Sequence, residues 1–231
     1  MSGRELDWTP VESPQPGELR GTHVSLRPVT PDDAQALFEA GHDPAIWTYL
    51  PYGPYASAGD LRSRLEQIAG SRDPLFYAIC VDERPQGIAS YLRIEPTHGV
   101  IEIGHIWFGT PLQRTTAATE AIFLLARHAF DDLGYRRLEW KCNALNQKSR
   151  RAAERFGFTY EGVFRNHMVV KGRNRDSAWY AITAEDWPGI RAAFESWLAP
   201  ENFDAEGRQQ TPLQAISGIN SATDSTIRDG R

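Results

Sequence analysis

Glu102-Ile103-Gly104-His105-Ile106-Trp107-Phe108-Gly109-Thr110-Pro111-Leu112-Gln113-Arg114-Thr115-Thr116-Ala117-Ala118-Thr119-Glu120-Ala121 is the stretch that decides the fold. Its first part belongs to a strand that reads from Val100 to Phe108, and Gly109-Thr110-Pro111 turn the chain. From about Thr115 the period changes. Ala118, Ile122, Leu125, Ala129 and Leu133 recur at helical spacing until Gly134 ends the run. The residues from Gln113 to Ala118 are mostly small or hydroxylated where that helix begins. Unpaired backbone N–H groups at a helix N-terminus can hold a diphosphate, but every helix has such an end.

Upstream, strands at Phe76–Val81 and Gly87–Ile94 are separated by short charged or glycine-containing turns, which predicts an antiparallel meander. Before them come a strand at Val24–Val29, a helix capped by Thr30 with Pro31 at its first position, and a helix from Ser57 to Ala69. The aromatic, proline-punctuated stretch Trp47–Tyr55 reads as a loop. Downstream lie a strand at Leu138–Cys142, a helix from Asn146 to Phe156, strands at Thr159–Val170 and Ser177–Thr183, and a helix from Ala184 to Leu198. The order β-α-α-β-β-β-α-β-α-β-β-α predicts a mixed α/β domain and excludes a doubly wound order. Residues 1–20 read as a flexible N-terminal arm, 21–199 as the folded domain, and 200–231 as a partly disordered tail. The tail's apolar group Leu213–Ile219 is a candidate homodimer contact and equally a group with no role.

Composition removes several classes. With 25 basic against 30 acidic residues the net charge is −5, which argues against a dominant nucleic-acid surface. The cluster Arg150-Arg151 with Arg155 lacks interleaved aromatic residues, so no nucleic-acid partner is expected. No run of apolar residues is long enough to span a membrane, and the first 25 residues have no signal-like apolar segment. Two cysteines make no disulfide framework, and no His/Cys cluster has zinc spacing, so no metal is expected. The chain reads as cytoplasmic.

Two separated blocks carry a family resemblance. The hexad Gln113-Arg114-Thr115-Thr116-Ala117-Ala118 resembles the acetyl-CoA-binding loop of the GNAT superfamily of N-acetyltransferases, Q/R-x-x-G-x-G/A. Asn146-Gln147-Lys148-Ser149, Arg155-Phe156-Gly157-Phe158 and Glu161-Gly162 resemble its N-x-x-S…GF…EG block, and Gly172, Asp176 and Tyr180 fit its terminal hairpin. Thr119-Glu120-Ala121 is similar to the subgroup of ribosomal-protein N-terminal acetyltransferases. The resemblance spans about residues 21–187 and departs from the pattern where Arg114 and Thr116 stand in place of the usual glycines. It implies a central, mostly antiparallel sheet of about seven strands flanked by helices.

The resemblance also implies direct acetyl transfer from acetyl-CoA to a primary amine, of a protein N-terminus or a small molecule. Glu102 is the candidate base and His105 the second, on opposite faces of a regular strand unless a bulge intervenes. Ser149 is the candidate acid at sulfur. Backbone groups at Ile106, Trp107 and Phe108 would hold the pantetheine arm, Gln113 to Ala118 the diphosphate, and Asn146 the pantetheine region. Lys148, Arg150 and Arg151 could reach the 3′-phosphate. Trp47, Tyr49, Glu161 and Arg165 are acceptor-side candidates. The competing reading is a non-catalytic acyl-CoA-binding or regulatory module, which the missing loop glycines would favour.

Overall fold

Strand alternation and the turns between strands build one sheet. The computed structural model describes residues 5–214. In chain order the strands are β1 (Leu19–Arg20), β2 (Ser25–Pro28), β3 (Leu75–Val81), β4 (Arg84–Glu95), β5 (Val100–Phe108), β6 (Arg137–Asn143), β7 (Thr159–Val170) and β8 (Arg173–Thr183). The helices are α1 (Ala34–Ala40), α2 (Ala58–Ile68), α3 (Thr116–Arg127), α4 (Gln147–Arg155) and α5 (Trp187–Leu198). All eight strands form one sheet in the order β1-β2-β3-β4-β5-β6-β8-β7. Only the β5–β6 pair is parallel. The strand beyond the seven read from sequence is β1, whose two residues are too few to show a period.

Because both faces of the middle strands are covered, β3 reads as an almost unbroken buried run. Its Leu75, Tyr77 and Ile79 join a large core with α3 and α5, while Phe76, Ala78 and Cys80 join a smaller one with α1 and α2. Helix α3 is buried from Ala117 to Ala126, between the sheet and α5, where Phe123 stacks on Phe194 at 5.2 Å. A helix enclosed on all sides should be apolar all round, so the buried Glu120 needs a reason. Its carboxylate accepts the backbone N–H groups of Thr22 and His23 at 2.8 and 2.6 Å, pinning the turn between β1 and β2. After Arg127 the predicted helix continues as one π turn, His128–Asp132.

The N-terminal arm, from residue 5 onward, lies against the β4–β5 turn. Val11 N–H donates to the Pro96 carbonyl at 3.2 Å, Trp8 Nε1 to Thr97 at 2.8 Å, and the Tyr135 hydroxyl to Glu12 at 3.2 Å. At the other end Leu213 is buried in the large core of its own chain. Ala215, Ile216 and Ile219 of the same apolar group lie outside the described residues.

Candidate active site

Strands β5 and β6 run side by side and then part. Val100–Ile103 pair with Arg137–Trp140, and pairing among the described residues stops there, although β5 continues to Phe108 and β6 to Asn143. The inner edges beyond that point keep backbone donors and acceptors that no neighbouring strand uses, which makes a cleft through the sheet.

A bulge shapes the cleft's floor. The β4–β5 register passes from Ser90 opposite Gly104 to Ile88 opposite Trp107, so His105 and Ile106 together face Ala89. His105 takes a left-handed φ of +52° to do this. Side-chain parity then shifts by one. Ile101 and Ile103 point into the large core and Glu102 away from it, while past the bulge Ile106 and Phe108 pack on the large core. His105 and Trp107 point with Glu102: the His105 ring lies 5.1 Å from that of Phe76, and the buried Trp107 packs against Trp47 at 5.0 Å. The two candidate bases therefore share a face.

On the α3 side, Thr115 caps the helix: its hydroxyl accepts Ala118 N–H at 3.1 Å and donates to the Leu112 carbonyl at 2.7 Å. Gln113 folds back, its amide donating to the Phe108 carbonyl at 3.0 Å. Arg114 holds φ +62°, the left-handed conformation that glycine adopts without cost, so the loop keeps a glycine's backbone without the glycine. Among the described residues the N–H groups of Arg114, Thr116 and Ala117 have no acceptor, as expected of a helix start. Ala117 and Ala118 are buried. These groups suit a diphosphate.

At the start of α4, the Asn146 side chain accepts Ser149 N–H at 3.2 Å, and Ser149 Oγ accepts the Trp140 indole at 3.0 Å while its hydroxyl lies within hydrogen-bond reach of the Cys142 thiol. Lys148 and Arg151 are exposed. Arg150 Nε donates to the Tyr180 hydroxyl at 3.0 Å. Arg155 points inward over the Trp197 ring, so it does not join Arg150 and Arg151 in a surface patch.

On the opposite face Glu102 is buried in a chain of ion pairs. Its Oε2 meets Arg93 Nη1 at 2.5 Å and Lys141 Nζ at 3.0 Å; Lys141 also binds Glu139 at 2.6 Å. Arg137 continues the chain from Glu139 to Glu161. Glu102 Oε1 has no partner among the described residues. Glu161 is tied at the first residue of β6, the closed end of the cleft, and its carboxyl is held below the usual range by hydrogen bonding to Arg137. Arg165 is exposed in a bulge of β7.

The His105 imidazole is 3.2 Å from the Tyr52 hydroxyl and stacked on that ring. Burial, with Arg64, Arg93 and Arg175 nearby, lowers its pKa to about 4. Trp47 is buried, packs in the smaller core and donates to the Gly41 carbonyl at 2.8 Å. Tyr49 reaches across the cleft's wide end, its hydroxyl donating to the Leu145 carbonyl at 3.2 Å. Lys171, in the β7–β8 turn, ties the aromatic loop from the other side through the Trp47 and Gly53 carbonyls at 3.0 and 2.9 Å. Sequence reading missed Arg93, Lys141, Arg175 and Trp179, and reached Tyr52 and Lys171 only as members of the loop Trp47–Tyr55 and the hairpin around Phe164–Lys171. They come from separate strands and loops, and no local spacing links them.

The family model for the acetyltransferase (GNAT) domain matches residues 23–159. A GCN5-related N-acetyltransferase structure from Brucella melitensis superposes with a TM-score of 0.90 at 43% identity, covering 92% of this chain and 99% of that one. The "Putative ribosomal N-acetyltransferase YdaF" of Bacillus subtilis (strain 168) is 25% identical over 180 residues, covering 72% of this chain and 94% of its own length. The fold is shared too by the microcin C7 self-immunity acetyltransferase MccE, solved with acetyl-CoA and AMP (TM-score 0.64, 23% identity, 71% of this chain and 93% of that one). With the splayed strands and the glycine-like loop before α3, these matches place the chain in the GNAT family of acetyl-CoA-dependent acyltransferases.

Proposed function

We propose that the chain transfers an acetyl group from acetyl-CoA directly to a primary amine, with Glu102 taking the proton and Ser149 giving one. The observation that carries this reading is the bulge at His105, which puts Glu102 and His105 on one face beside the parted strands. Acetyl-CoA supplies the activated acyl group as a thioester. The free N–H groups of Arg114, Thr116 and Ala117 would hold its diphosphate, with the Thr116 hydroxyl as a further donor. The unpaired edge of β5 over Ile106–Phe108 would bind the pantetheine arm as an added strand, with Asn146 beside it.

The amine arrives as an ammonium ion and must lose a proton before it can attack. Glu102 accepts it at the uncommitted Oε1, through a water because the side chain is buried. The ion pairs on Oε2 fix the carboxylate's orientation. The N–C bond forms as the C–S bond breaks; the nitrogen gives up its second proton to water, while Ser149 delivers a proton to the departing sulfur and is reprotonated from solvent. His105, neutral at physiological pH, stands beside the amine and its Tyr52 contact fixes the ring. Tyr49 supports the acceptor side through its bond across the cleft; Glu161, tied to Arg137, and Arg165, exposed in the β7 bulge, are given no part. Two buried, unpaired cysteines, Cys80 and Cys142, fit a cytoplasmic setting.

Titration calorimetry with acetyl-CoA tests the cofactor half, with micromolar binding expected. Glu102→Gln tests the chemical half: turnover should fall about 10²- to 10⁴-fold while acetyl-CoA binding persists. Loss of binding in parallel with turnover would overturn the assignment of Glu102 as base.

A further inference from the structure

We infer that the acceptor is a small amine bearing a carboxylate or phosphate, and that Arg175, with Arg64 as its second cation, receives that anionic group. The inference rests on the acyl-transfer reading and narrows its acceptor.

Charge in the cleft is unbalanced. Arg64, Arg93 and Arg175 all lie close enough to His105 to disfavour its protonation. Arg93 is matched by Glu102, and Lys141 by Glu102 and Glu139. Among the described residues neither Arg64 nor Arg175 is ion-paired to a carboxylate; Arg64 bonds to the neutral Gln67 side chain at 3.3 Å and to the Tyr55 hydroxyl, and lies over the Tyr52 ring at 5.6 Å. Two cations therefore stand without an ion pair around one neutral imidazole, with Glu102 acting on Arg175 only at longer range.

Hydrogen bonding points the same way. Arg175 Nε and Trp179 Nε1 are buried donors with no acceptor, on the strand that borders β6. The Trp179 ring carries Lys141 Nζ over its face at 3.6 Å and packs on Phe164 at 4.4 Å, which puts it beside the Glu102 ion pairs. Buried donors in native proteins are almost always satisfied. Here the cleft has donors to spare and few acceptors, and a carboxylate or phosphate would supply the missing lone pairs. Burial weakens the hold of Arg175 on its proton, only partly offset by Cys142 and Glu102, a penalty that an anion in contact would reverse.

Size follows from the roof. Tyr49 and Lys171 tie the aromatic loop to Leu145, just past β6, and to the β7–β8 turn, roofing the cleft's wide end. That enclosure suits a small molecule better than a polypeptide segment.

The test compares matched amines at saturating acetyl-CoA: an amino acid against its amide, and phosphoethanolamine against ethanolamine. The anionic member of a pair should have the higher kcat/KM. Arg175→Gln should raise its KM about 10- to 100-fold, leave the acetyl-CoA Kd unchanged, and be partly rescued by Arg175→Lys. Equal use of neutral amines, preference for an uncharged peptide N-terminus, or an Arg175→Gln effect on acetyl-CoA alone would overturn the inference. A thermal-shift titration with inorganic phosphate, without acetyl-CoA, reads the anion site separately. Stabilisation lost in Arg175→Gln supports the site even if acetyl-CoA fails to bind, in which case the acyl-transfer reading falls instead. No Arg175-dependent shift counts against the site.

Discussion

Glu102 and His105, three residues apart on one strand, face the same side of the sheet because the chain between them spends an extra residue in a bulge, with His105 at φ +52°. A regular strand would send one of them into the large core. The left-handed backbone costs a non-glycine residue on the order of 1–2 kcal/mol, and the surrounding packing of Tyr52 and Phe76 on the imidazole holds it in place.

That packing makes the protein acid-sensitive in a defined window. His105 titrates near pH 4 in the folded chain against 6.5 ordinarily, because burial and neighbouring cations disfavour the imidazolium. Between these values the unfolded chain binds a proton that the native one refuses, so stability rises with pH across the window. The contribution is fully present above about pH 6.5 and is lost as pH falls toward 4. Denaturation midpoints measured at pH 7 and pH 4.5 should differ less in His105→Asn than in the parent. An unchanged difference would refute the assignment to His105.

Glu120 makes a stability prediction. Its carboxylate satisfies two backbone donors at the β1–β2 turn from within a buried helix. Removing it leaves both donors without a partner, at about 1–3 kcal/mol for a buried group. Glu120→Ala should lose about 2–3 kcal/mol in urea denaturation, and amide exchange should accelerate at Thr22 and His23. Faster exchange confined to α3 would point to helix damage instead.

What was legible depended on whether local spacing carried it. The meander, the helix starting near Thr115 and the hairpin after Thr159 follow from period and turn residues, and the observed bounds differ by few residues. The segments proposed for the cofactor could be read because the loop before α3 and the start of α4 are each contiguous. The acceptor side could not. Arg93 arrives from β4, Lys141 from β6, Arg175 and Trp179 from β8, and only the register of four strands brings them to Glu102. Trp47 shows the converse limit: an aromatic residue in a proline-rich loop looks the same in sequence whether it lines a cleft or, as here, plugs a core.

The helix cap and the residue before it should act separately. Thr115→Ala removes the hydroxyl that accepts Ala118 N–H and should cost about 1 kcal/mol. Arg114→Gly removes the penalty of a left-handed arginine and should be neutral or stabilising by up to about 1 kcal/mol. If the backbone alone holds the diphosphate, Arg114→Gly keeps acetyl-CoA affinity within a factor of a few by calorimetry. A larger loss would show that the guanidinium itself is a contact.

Lys171 separates the two halves of the site most sharply. Its ammonium bonds to two carbonyls of the aromatic loop and, among the described residues, to no carboxylate, so its measurable role is geometric: it fixes the distance between that loop and the β7–β8 turn. Neither partner belongs to the α3 loop or to the start of α4, so acetyl-CoA binding has no route to feel the change. Lys171→Met keeps the aliphatic stem and removes the bonds. The roof should then loosen, and the acceptor KM should rise about tenfold, the weight of one charge-assisted hydrogen bond, with kcat changed less. Acetyl-CoA Kd should stay constant. A fall in acetyl-CoA affinity of the same size would mean that the loop and the cofactor cleft move as one body, and the division of the site into a preformed cofactor half and a roofed acceptor half would be wrong.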